Sequence, residues 1–404
     1  MLSMYVRREF PSLGLYRSYL NTALIGLPPR IAREEGVRAL IEYVSDPARG
    51  IMGVELKYDM VRERFARYVG IEDPRSTIVG MHGTTSCIER LVLSALAYIY
   101  REYRRPGVIG VTLQEYPGVV LALRSLCSSL PTICDRLVYL GREGDYRWED
   151  DAAEFLDEGE GRILVASSIQ WTTGYYGDFS RLKPGEGRFV IVDGAHHFGH
   201  LPLPPHVKRM DAVCGTPRKW LLTPTVGLGV AYVSERFVRS VTPYVYSRFS
   251  VEGSLSYRDS YYGSPGLRRD AGIFHPTSGI GVLDLDLFEI VLRFLTGAAS
   301  IIAVQDHVQG LRRILVDLLE ERGFTDTLSA EGYDRKSGIV LVRTGLPPGR
   351  EAEIVRNLQA RGISVAYREQ AGIHGIRVSV HLYNNESDIQ VFVDELSRLV
   401  GRVG

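Results

Sequence analysis

The chain has 404 residues, of which 45% are hydrophobic and 24% are charged, which is the composition of an ordinary globular protein. This excludes a disordered, collagen-like or coiled-coil chain, and the length suits two or three domains of roughly 150 residues each. Lys plus Arg and Asp plus Glu both number 48, so the formal net charge is zero. Nucleic-acid-binding proteins usually carry a basic excess, and we therefore expect no nucleic-acid partner.

The cysteines and the N-terminus suggest a cellular location. Cys87, Cys127, Cys134 and Cys214 are too few for a disulfide scaffold and include no C-x-x-C pair. We therefore expect reduced, mostly buried thiols in a cytoplasmic protein. Residues 1–11 contain charges and no apolar core, which predicts no signal peptide. No uncharged apolar run reaches the roughly 20 residues of a membrane helix, so we expect no membrane partner.

The predicted elements begin with an N-terminal arm, residues 1–30, followed by helices after Pro29 and over about 55–69. Further helices are predicted at about 86–104 and 118–129. The predicted strands are 77–79, 108–113, 136–140, 162–168, 189–192, 212–213 and 229–233. Because strands alternate with helices, we predict a large α/β domain over 31–282 with a mostly parallel sheet covered on both faces.

The pattern of predicted helices and strands changes after about residue 280. A long helical stretch, bent near Gly297, runs to about Arg322. Strands at 338–343 and 376–381 then alternate with helices at 350–361 and 387–400. This order predicts a smaller α+β C-terminal domain over 283–404, with which we group the N-terminal arm.

Polar residues follow two of the apolar strands directly. Asp193 ends the run Phe189-Val-Ile-Val, and Thr216 and Lys219 follow Ala212-Val-Cys-Gly. In open α/β sheets, ligands bind at the carboxyl ends of the strands. The alternatives are an acid that caps a turn and a solvated surface lysine.

Two further motifs lie at the same predicted edge. His82-Gly-Thr-Thr-Ser opens a helix, whose free N–H groups and dipole suit a phosphate, although an ordinary N-cap has the same composition. Tyr116 follows the strand 108–113, where its ring could stack on a flat ligand or form part of a turn.

A lysine, an acid, an anion site and an aromatic ring are together what pyridoxal 5′-phosphate requires. The lysine forms the Schiff base, and the acid keeps the ring nitrogen protonated so that the ring can withdraw electrons.

The ordered set of motifs resembles the class V aminotransferase family of fold-type-I pyridoxal-phosphate enzymes, which includes cysteine desulfurases, isopenicillin N epimerase-like proteins and kynureninase. The resemblance runs through nearly the whole chain, and the separation of 26 residues between Asp193 and Lys219 fits the family. The motifs are Tyr19-Leu-Asn-Thr-Ala-Leu-Ile-Gly, Gly83-Thr-Thr, Glu115-Tyr-Pro, Thr173-Gly, Val192-Asp-Gly-Ala-His, Thr216-Pro-Arg-Lys and Ile376-Arg-Val-Ser-Val-His-Leu-Tyr-Asn. The resemblance implies the fold-type-I α/β architecture.

The resemblance also implies roles for individual residues. Lys219 would form the internal aldimine and shuttle protons, and Asp193 would pair with the ring nitrogen. The other implied contacts are His196 and Gln170 to the ring hydroxyl, Thr84, Thr85 and Thr216 to the phosphate, Tyr116 stacked on the ring, and Arg377 with Asn21 at the substrate carboxylate. Family members imply a homodimer with the site at the interface, where Thr277 and Ser278 could reach the neighbour's phosphate. Many members have His before the lysine, where this chain has Arg218.

The resemblance predicts an aminotransferase that converts an α-amino acid to a keto acid. The stretch between Lys219 and Arg377 contains no cysteine, which disfavours a desulfurase that uses a mobile-loop thiol. A cysteine-independent C–S lyase, an amino-acid epimerase and a non-catalytic cofactor-binding regulator remain alternatives.

Other site classes are less well supported by the sequence. A metal site could use Asp193 with the three histidines of the segment 196–200, but no second ligand cluster is evident. Gly227-Leu-Gly lacks the third glycine and the helix of a dinucleotide-binding motif, and no G-x-S-x-G elbow is present.

Overall fold

The structure is a computed structural model, and it describes residues 4–252, 263, 266–276, 281–328 and 337–401. The helices are α1 Met4–Arg8, α2 Arg30–Ser45, α3 Pro47–Ile51, α4 Val54–Val69, α5 Gly83–Tyr103, α6 Pro117–Ser129, α7 Glu149–Asp157, α8 Pro205–Lys208, α9 Glu235–Ser240, α10 Val282–Ala298, α11 Ile301–Glu321, α12 Pro348–Ala360 and α13 Glu386–Val400. The strands are β1 Ser18–Tyr19, β2 Thr77–Met81, β3 Gly107–Thr112, β4 Cys134–Leu140, β5 Arg162–Ser167, β6 Arg188–Asp193, β7 Ala212–Gly215, β8 Gly229–Val233, β9 Thr327–Leu328, β10 Ile339–Val342, β11 Ile363–Ser364, β12 Ala366–Gln370 and β13 Ile373–Ser379.

A seven-stranded sheet forms the centre of the molecule, in the order β2-β8-β7-β6-β5-β3-β4. The pairs β4–β3, β3–β5, β5–β6 and β6–β7 are parallel, whereas β8 runs antiparallel to both β7 and β2. The mostly parallel α/β fold predicted from the sequence is confirmed. Because parallel strands end at the same edge, the residues that follow them are brought together there.

Both faces of this sheet are covered. Along β5, Ile163 and Val165 belong to one hydrophobic core, whereas Leu164 and Ala166 belong to the other. Successive strand residues point to opposite faces, so a strand buried on both sides must be apolar throughout. This is why the strands appear in the sequence as unbroken apolar runs.

The C-terminal part forms a second, antiparallel sheet in the order β12-β13-β10-β9. The N-terminal arm contacts this part, because β1 pairs in parallel with β11 and Asn21 bridges Ser379. The boundaries at residues 30 and 282 remain a prediction.

Most predicted elements are present, with differences at their ends. Helix α5 begins at Gly83, three residues before the predicted start. Two further elements were not predicted: α7, which is only nine residues long and has an acidic first turn, and β12, a polar strand of five residues. The predicted long helix is two helices, α10 and α11, since Ala299 is extended and Ser300 caps the second.

A helix that crosses a bilayer must be both long and apolar. Among the described residues, no single helix meets both requirements. The pair α10 and α11 meets them only when the two are taken together, and they are bent by 73°.

The prediction of reduced thiols is wrong in this structure. Disulfides join Cys87 to Cys214 and Cys127 to Cys134. The first links residues 127 positions apart, because α5 packs against β7, and no spacing rule could show it. Disulfides are typical of oxidising compartments and of intracellular proteins of hyperthermophiles, so the cytoplasmic location remains only a prediction.

Candidate active site

A cavity of about 420 Å³ lies at the carboxyl edge of the seven-stranded sheet. Eight of the residues predicted for the site line it: Thr84, Thr85, Tyr116, Asp193, His196, Thr216, Lys219 and Arg377. The first seven end or follow strands of this sheet, and Arg377 lies on β13 of the second sheet. The cavity therefore lies between the two sheets.

Asp193 is the last residue of β6 and is 5% exposed. Its Oδ1 accepts a hydrogen bond of 2.8 Å from the Ala195 amide. Burial raises the pKa of Asp193, and the Ala195 amide and the nearby Lys219 amine act in the opposite direction. A carboxylate held in this way can pair with a protonated ring nitrogen.

Lys219 lies in the loop after β7, and its Nζ is 3.1 Å from His196 Nε2. Burial lowers the pKa of Lys219 to about 7, with Asp193 opposing the shift and Arg377 adding to it. The loop is closely packed, because a Cβ at Gly26 would lie 1.9 Å from the Lys219 carbonyl oxygen. Near neutral pH a large fraction of this amine is therefore uncharged and nucleophilic.

The lowered pKa of Lys219 predicts the pH dependence of cofactor attachment. Only the uncharged amine attacks an aldehyde, so the rate at which apoprotein takes up pyridoxal phosphate should rise with pH around a midpoint near 7. Stopped-flow absorbance across a pH series measures this rate. A midpoint near 10.5, the usual lysine value, would contradict it. The K219A variant is the control and should show no rise.

The orientation of His196 is fixed from behind by Trp220. The Trp220 Nε1–H donates to His196 Nδ1 at 3.1 Å. An indole nitrogen only donates, so Nδ1 must be the acceptor and Nε2 must carry the proton. Burial also lowers the pKa of His196 well below its usual value, which keeps the ring neutral. His196 therefore presents an Nε2–H donor to the cavity, suited to a ring oxygen.

The turn between β2 and α5 forms the anion-binding end of the cavity. Gly83 has a φ of +84°, which favours glycine, and a Cβ at Gly229 would lie 2.8 Å from the Gly83 nitrogen. The Thr84 Oγ1 is buried without a partner. Helix α5, with 21 residues, directs its first amides here, so the turn suits a phosphate.

Two of the predicted aromatic and hydroxyl contacts lie nearby. Tyr116 is half-exposed and makes an edge contact of 5.6 Å with Trp171, leaving its ring available for stacking. Thr216 Oγ1 donates to the Leu228 carbonyl at 3.1 Å, which orients this hydroxyl at the cavity wall.

Arg377 is 1% exposed, and its Nη1 donates to the Trp171 carbonyl at 2.6 Å. Its Nε and Nη2 have no partner. Burial and the neighbouring Arg368 both lower the pKa of Arg377. Because buried polar groups are normally paired, this guanidinium is set to receive an anion.

Two predicted residues do not line the cavity. The Gln170 amide is used locally, since its Nε2 donates to the Tyr146 carbonyl and its Oε1 accepts from Thr173. Asn21 forms a backbone bridge with Ser379, its Nδ2 donates to the Ser364 hydroxyl at 3.4 Å, and its contact with a substrate carboxylate stays a prediction. Thr277 and Ser278 lie outside the described residues.

The histidines near Asp193 have other partners. His197 bonds Ser168 and the Pro202 carbonyl, and His200 accepts from the Gly338 amide. Within the part of the chain that the structure describes, no group of three or more His, Cys, Asp or Glu side chains could hold a metal ion.

Other residues of the cavity were not among those predicted for the site. His82, Ser167, Trp171, Arg218 and Arg368 also line the cavity. His82 and Arg218 stand inside motifs that were recognised, so their proximity could have been inferred. Arg368 could not, because its strand was not predicted.

The comparisons with known proteins agree with this geometry. The sequence model of the aminotransferase class-V family matches residues 47–392. The chain belongs to this family. Isopenicillin N epimerase from Streptomyces clavuligerus is 29% identical over 257 residues, a match that covers 59% of this chain and about 61% of the epimerase's length.

Solved structures share the fold over the whole chain. A cysteine desulfurase from Thermococcus onnurineus has a TM-score of 0.77 at 18% identity, covering 100% of this chain and 99% of that one. The cystine C–S lyase C-DES, in complex with its product cysteine persulfide, has a TM-score of 0.75 at 17% identity, covering 98% and 100%. A C-DES variant with glycine covalently linked to its pyridoxal-phosphate cofactor has a TM-score of 0.79 at 17% identity, covering 98% and 99%.

The cofactor of this family is pyridoxal phosphate, and the residues present suit it. Lys219 could hold the aldehyde carbon, Asp193 the ring nitrogen and His196 the ring oxygen. The unpartnered Thr84 hydroxyl and the start of α5 suit the phosphate. When bound, the cofactor supplies a ring that withdraws electrons from the substrate's α-carbon.

Proposed function

We propose that the protein is an enzyme that acts at the α-carbon of an amino acid, and that it is an aminotransferase. The observation that carries the proposal is one cavity that contains a buried amine of lowered pKa, a buried acid and an unpartnered buried guanidinium. Arg377 binds the substrate carboxylate, and Lys219 removes the α-proton. The same amine can return that proton to the cofactor side, which is the step that distinguishes transamination.

A cysteine-independent C–S lyase is the second candidate. The sequence between Lys219 and Arg377 contains no cysteine, and the four cysteines of the chain are paired in disulfides. A route through a protein-bound persulfide is therefore disfavoured, whereas direct elimination needs only an amine base. Epimerisation, which the similarity to isopenicillin N epimerase suggests, is the third outcome to test.

A single-turnover experiment separates these reactions. Cofactor-loaded protein is mixed with a panel of amino acids without an amino acceptor. Transamination gives one keto acid per site and bleaches the cofactor colour. Elimination releases pyruvate and a sulfur product repeatedly, and epimerisation changes only the chirality. No reaction with any amino acid would favour a non-catalytic regulator.

The charge in the cavity suggests the substrate class. Arg368 lines the cavity together with Arg377, its Nε is buried without a partner, and its guanidinium lies 5.4 Å from the Trp171 ring centroid. Each arginine is desolvated, and Arg368 further destabilises the charged form of Arg377. Two adjacent cations are best compensated by two anionic groups, so we propose an amino acid with a second acidic group.

Replacing Arg368 tests this substrate class. The R368Q variant should raise KM for diacidic amino acids by about 10-fold or more, because a hydrogen bond to a charged group is lost. Its KM for neutral amino acids should stay nearly the same. Steady-state kinetics with both substrate types measure the split. An equal effect on both types would contradict a second anion contact.

We propose that the protein is a homodimer. Val37, Leu40, Ile41 and Val44 form a row on α2, here called the α2 stripe, and they are between 46% and 62% exposed. This spacing places them on one side of the helix, and continuous exposed apolar rows mark interaction surfaces.

Changing the α2 stripe should alter the oligomeric state. The I41E/V44E variant should elute as a monomer, since two charges would be buried without partners. Size-exclusion chromatography with light scattering gives the mass. The R38E variant changes a charge beside the stripe and should leave the dimer intact. A dimer in both variants would place the interface elsewhere.

A further inference from the structure

Glu115 is a buried carboxyl group immediately behind the cavity wall, with no role in the steps above. It follows β3 and is 0% exposed. The Ser167 hydroxyl lies 2.9 Å from both of its carboxyl oxygens, and the Tyr116 amide donates to Oε1 at 2.7 Å. Its carboxyl group lies beside that of Asp193, and the charge of Asp193 raises its pKa.

The sheet holds these two carboxyl groups together. Ser167 and Asp193 are register partners at the ends of β5 and β6, and the Ser167 hydroxyl is hydrogen-bonded to Glu115, which places the two carboxyl groups side by side. Among the described residues, no Lys, Arg or His forms an ion pair with Glu115. Two buried carboxylates in contact repel each other strongly, so the pair must hold one shared proton.

The surroundings decide which group carries that proton. Asp193 has the Lys219 amine nearby and accepts from the Ala195 amide. Apart from Asp193, the Glu115 side chain has only neutral partners, the Ser167 hydroxyl and the Tyr116 amide. Burial and the charge of Asp193 raise the pKa of Glu115 well above its usual range. The negative charge therefore stays on Asp193, and the proton stays on Glu115.

We propose that Glu115 is a positioning residue, a protonated acid that donates a hydrogen bond to Asp193 and holds that carboxylate ionised toward the cofactor ring nitrogen. This inference rests on the proposed function, since Asp193 needs a ring nitrogen to pair with. No covalent bond changes in this role, and the proton remains on Glu115. Without the donor, Asp193 becomes more basic and takes the proton from the ring nitrogen.

The test uses the full-length holoenzyme loaded with pyridoxal phosphate labelled with ¹⁵N in the ring. The E115Q variant keeps a neutral donor of the same shape, so its ring-nitrogen NMR shift should match that of the wild type, and kcat should stay within about 3-fold. The E115L variant removes the donor. Its ring-nitrogen shift should move toward the unprotonated value, and kcat should fall about 10- to 100-fold with KM nearly unchanged.

Two further variants keep the result interpretable. Glu351 is another fully buried glutamate, on α12, and its Oε1 accepts a hydrogen bond from the Thr344 amide. The E351L variant should leave the ring-nitrogen shift unchanged. If E115L does not fold, the S167A variant replaces it in the test. S167A removes the hydrogen bonds from Ser167 to Glu115 and should move the ring-nitrogen shift in the same direction as E115L, but by less.

The contrary results are distinct from failure of the proposed function. An E115Q shift equal to that of E115L would mean that Glu115 is ionised, and an E115L shift equal to wild type would mean that it has no role. Either result overturns the inference. Failure of the proposed function would appear as wild-type holoenzyme without turnover, and the NMR shifts would still report on Glu115.

Discussion

The K219A variant should lose at least about 10³-fold in turnover, because the amine that removes the α-proton is also the group that attaches the cofactor. Lys219 is one of only five lysines in the chain. Among the described residues, it is the only lysine that lines the cavity. No neighbouring lysine can therefore take over either role.

The measurement combines kinetics with mapping of the cofactor. Borohydride reduction followed by peptide mass analysis should place the pyridoxyl label at Lys219 in the wild type and nowhere in K219A. The K208A variant is the matched control, since Lys208 bonds the Gly70 carbonyl far from the cavity and should be dispensable. Retained turnover in K219A, or a label on another lysine, would refute the assignment of Lys219.

The R377A variant should lose about 30-fold to several thousand-fold in kcat/KM for its amino-acid substrate. Truncating one partner of a buried hydrogen-bonded charge pair costs about 2–5 kcal/mol, and the unpartnered Nε and Nη2 are the groups that would receive the carboxylate. R377K should recover only part of the loss, because an ammonium lacks the planar fork that binds both oxygens.

The matched substrate for this test is the amine that lacks the α-carboxylate. Wild-type protein should discriminate strongly between the amino acid and this amine, and R377A should discriminate weakly. A variant that loses the same factor on both compounds would indicate disturbed folding, since Nη1 also holds the Trp171 carbonyl. R377K and thermal unfolding curves distinguish that case.

Much of the site could be predicted because its residues follow strands directly. Asp193 ends β6, Thr216 follows β7, and Thr84 lies just after β2. In a mostly parallel sheet, the positions after the strands converge at one edge without knowledge of any side-chain contact. The same local order explains why the α/β fold class was predicted correctly.

Where the structure differs from what the sequence predicted, the difference depends on contacts between separate segments of the chain. Gln170 follows β5 but turns its amide to Tyr146 and Thr173 instead of the cavity. Arg368 reaches the cavity because β12 forms a hairpin with β13, where Ala366 pairs with Arg377. Cys87 and Cys214 meet because α5 packs on β7.

The sequence by itself predicted the succession of strands and helices along the chain and singled out Asp193 and Lys219, since apolar runs and the residues after them are local features. Only the tertiary structure decided how those groups are tuned. Three features depend on distances across the fold. They are the protonated Glu115 beside Asp193, the orientation of His196 by Trp220, and the neighbouring cations of Arg368 and Arg377. Burial and neighbouring charge set pKa values and hydrogen-bond direction, and both arise only when distant segments pack together.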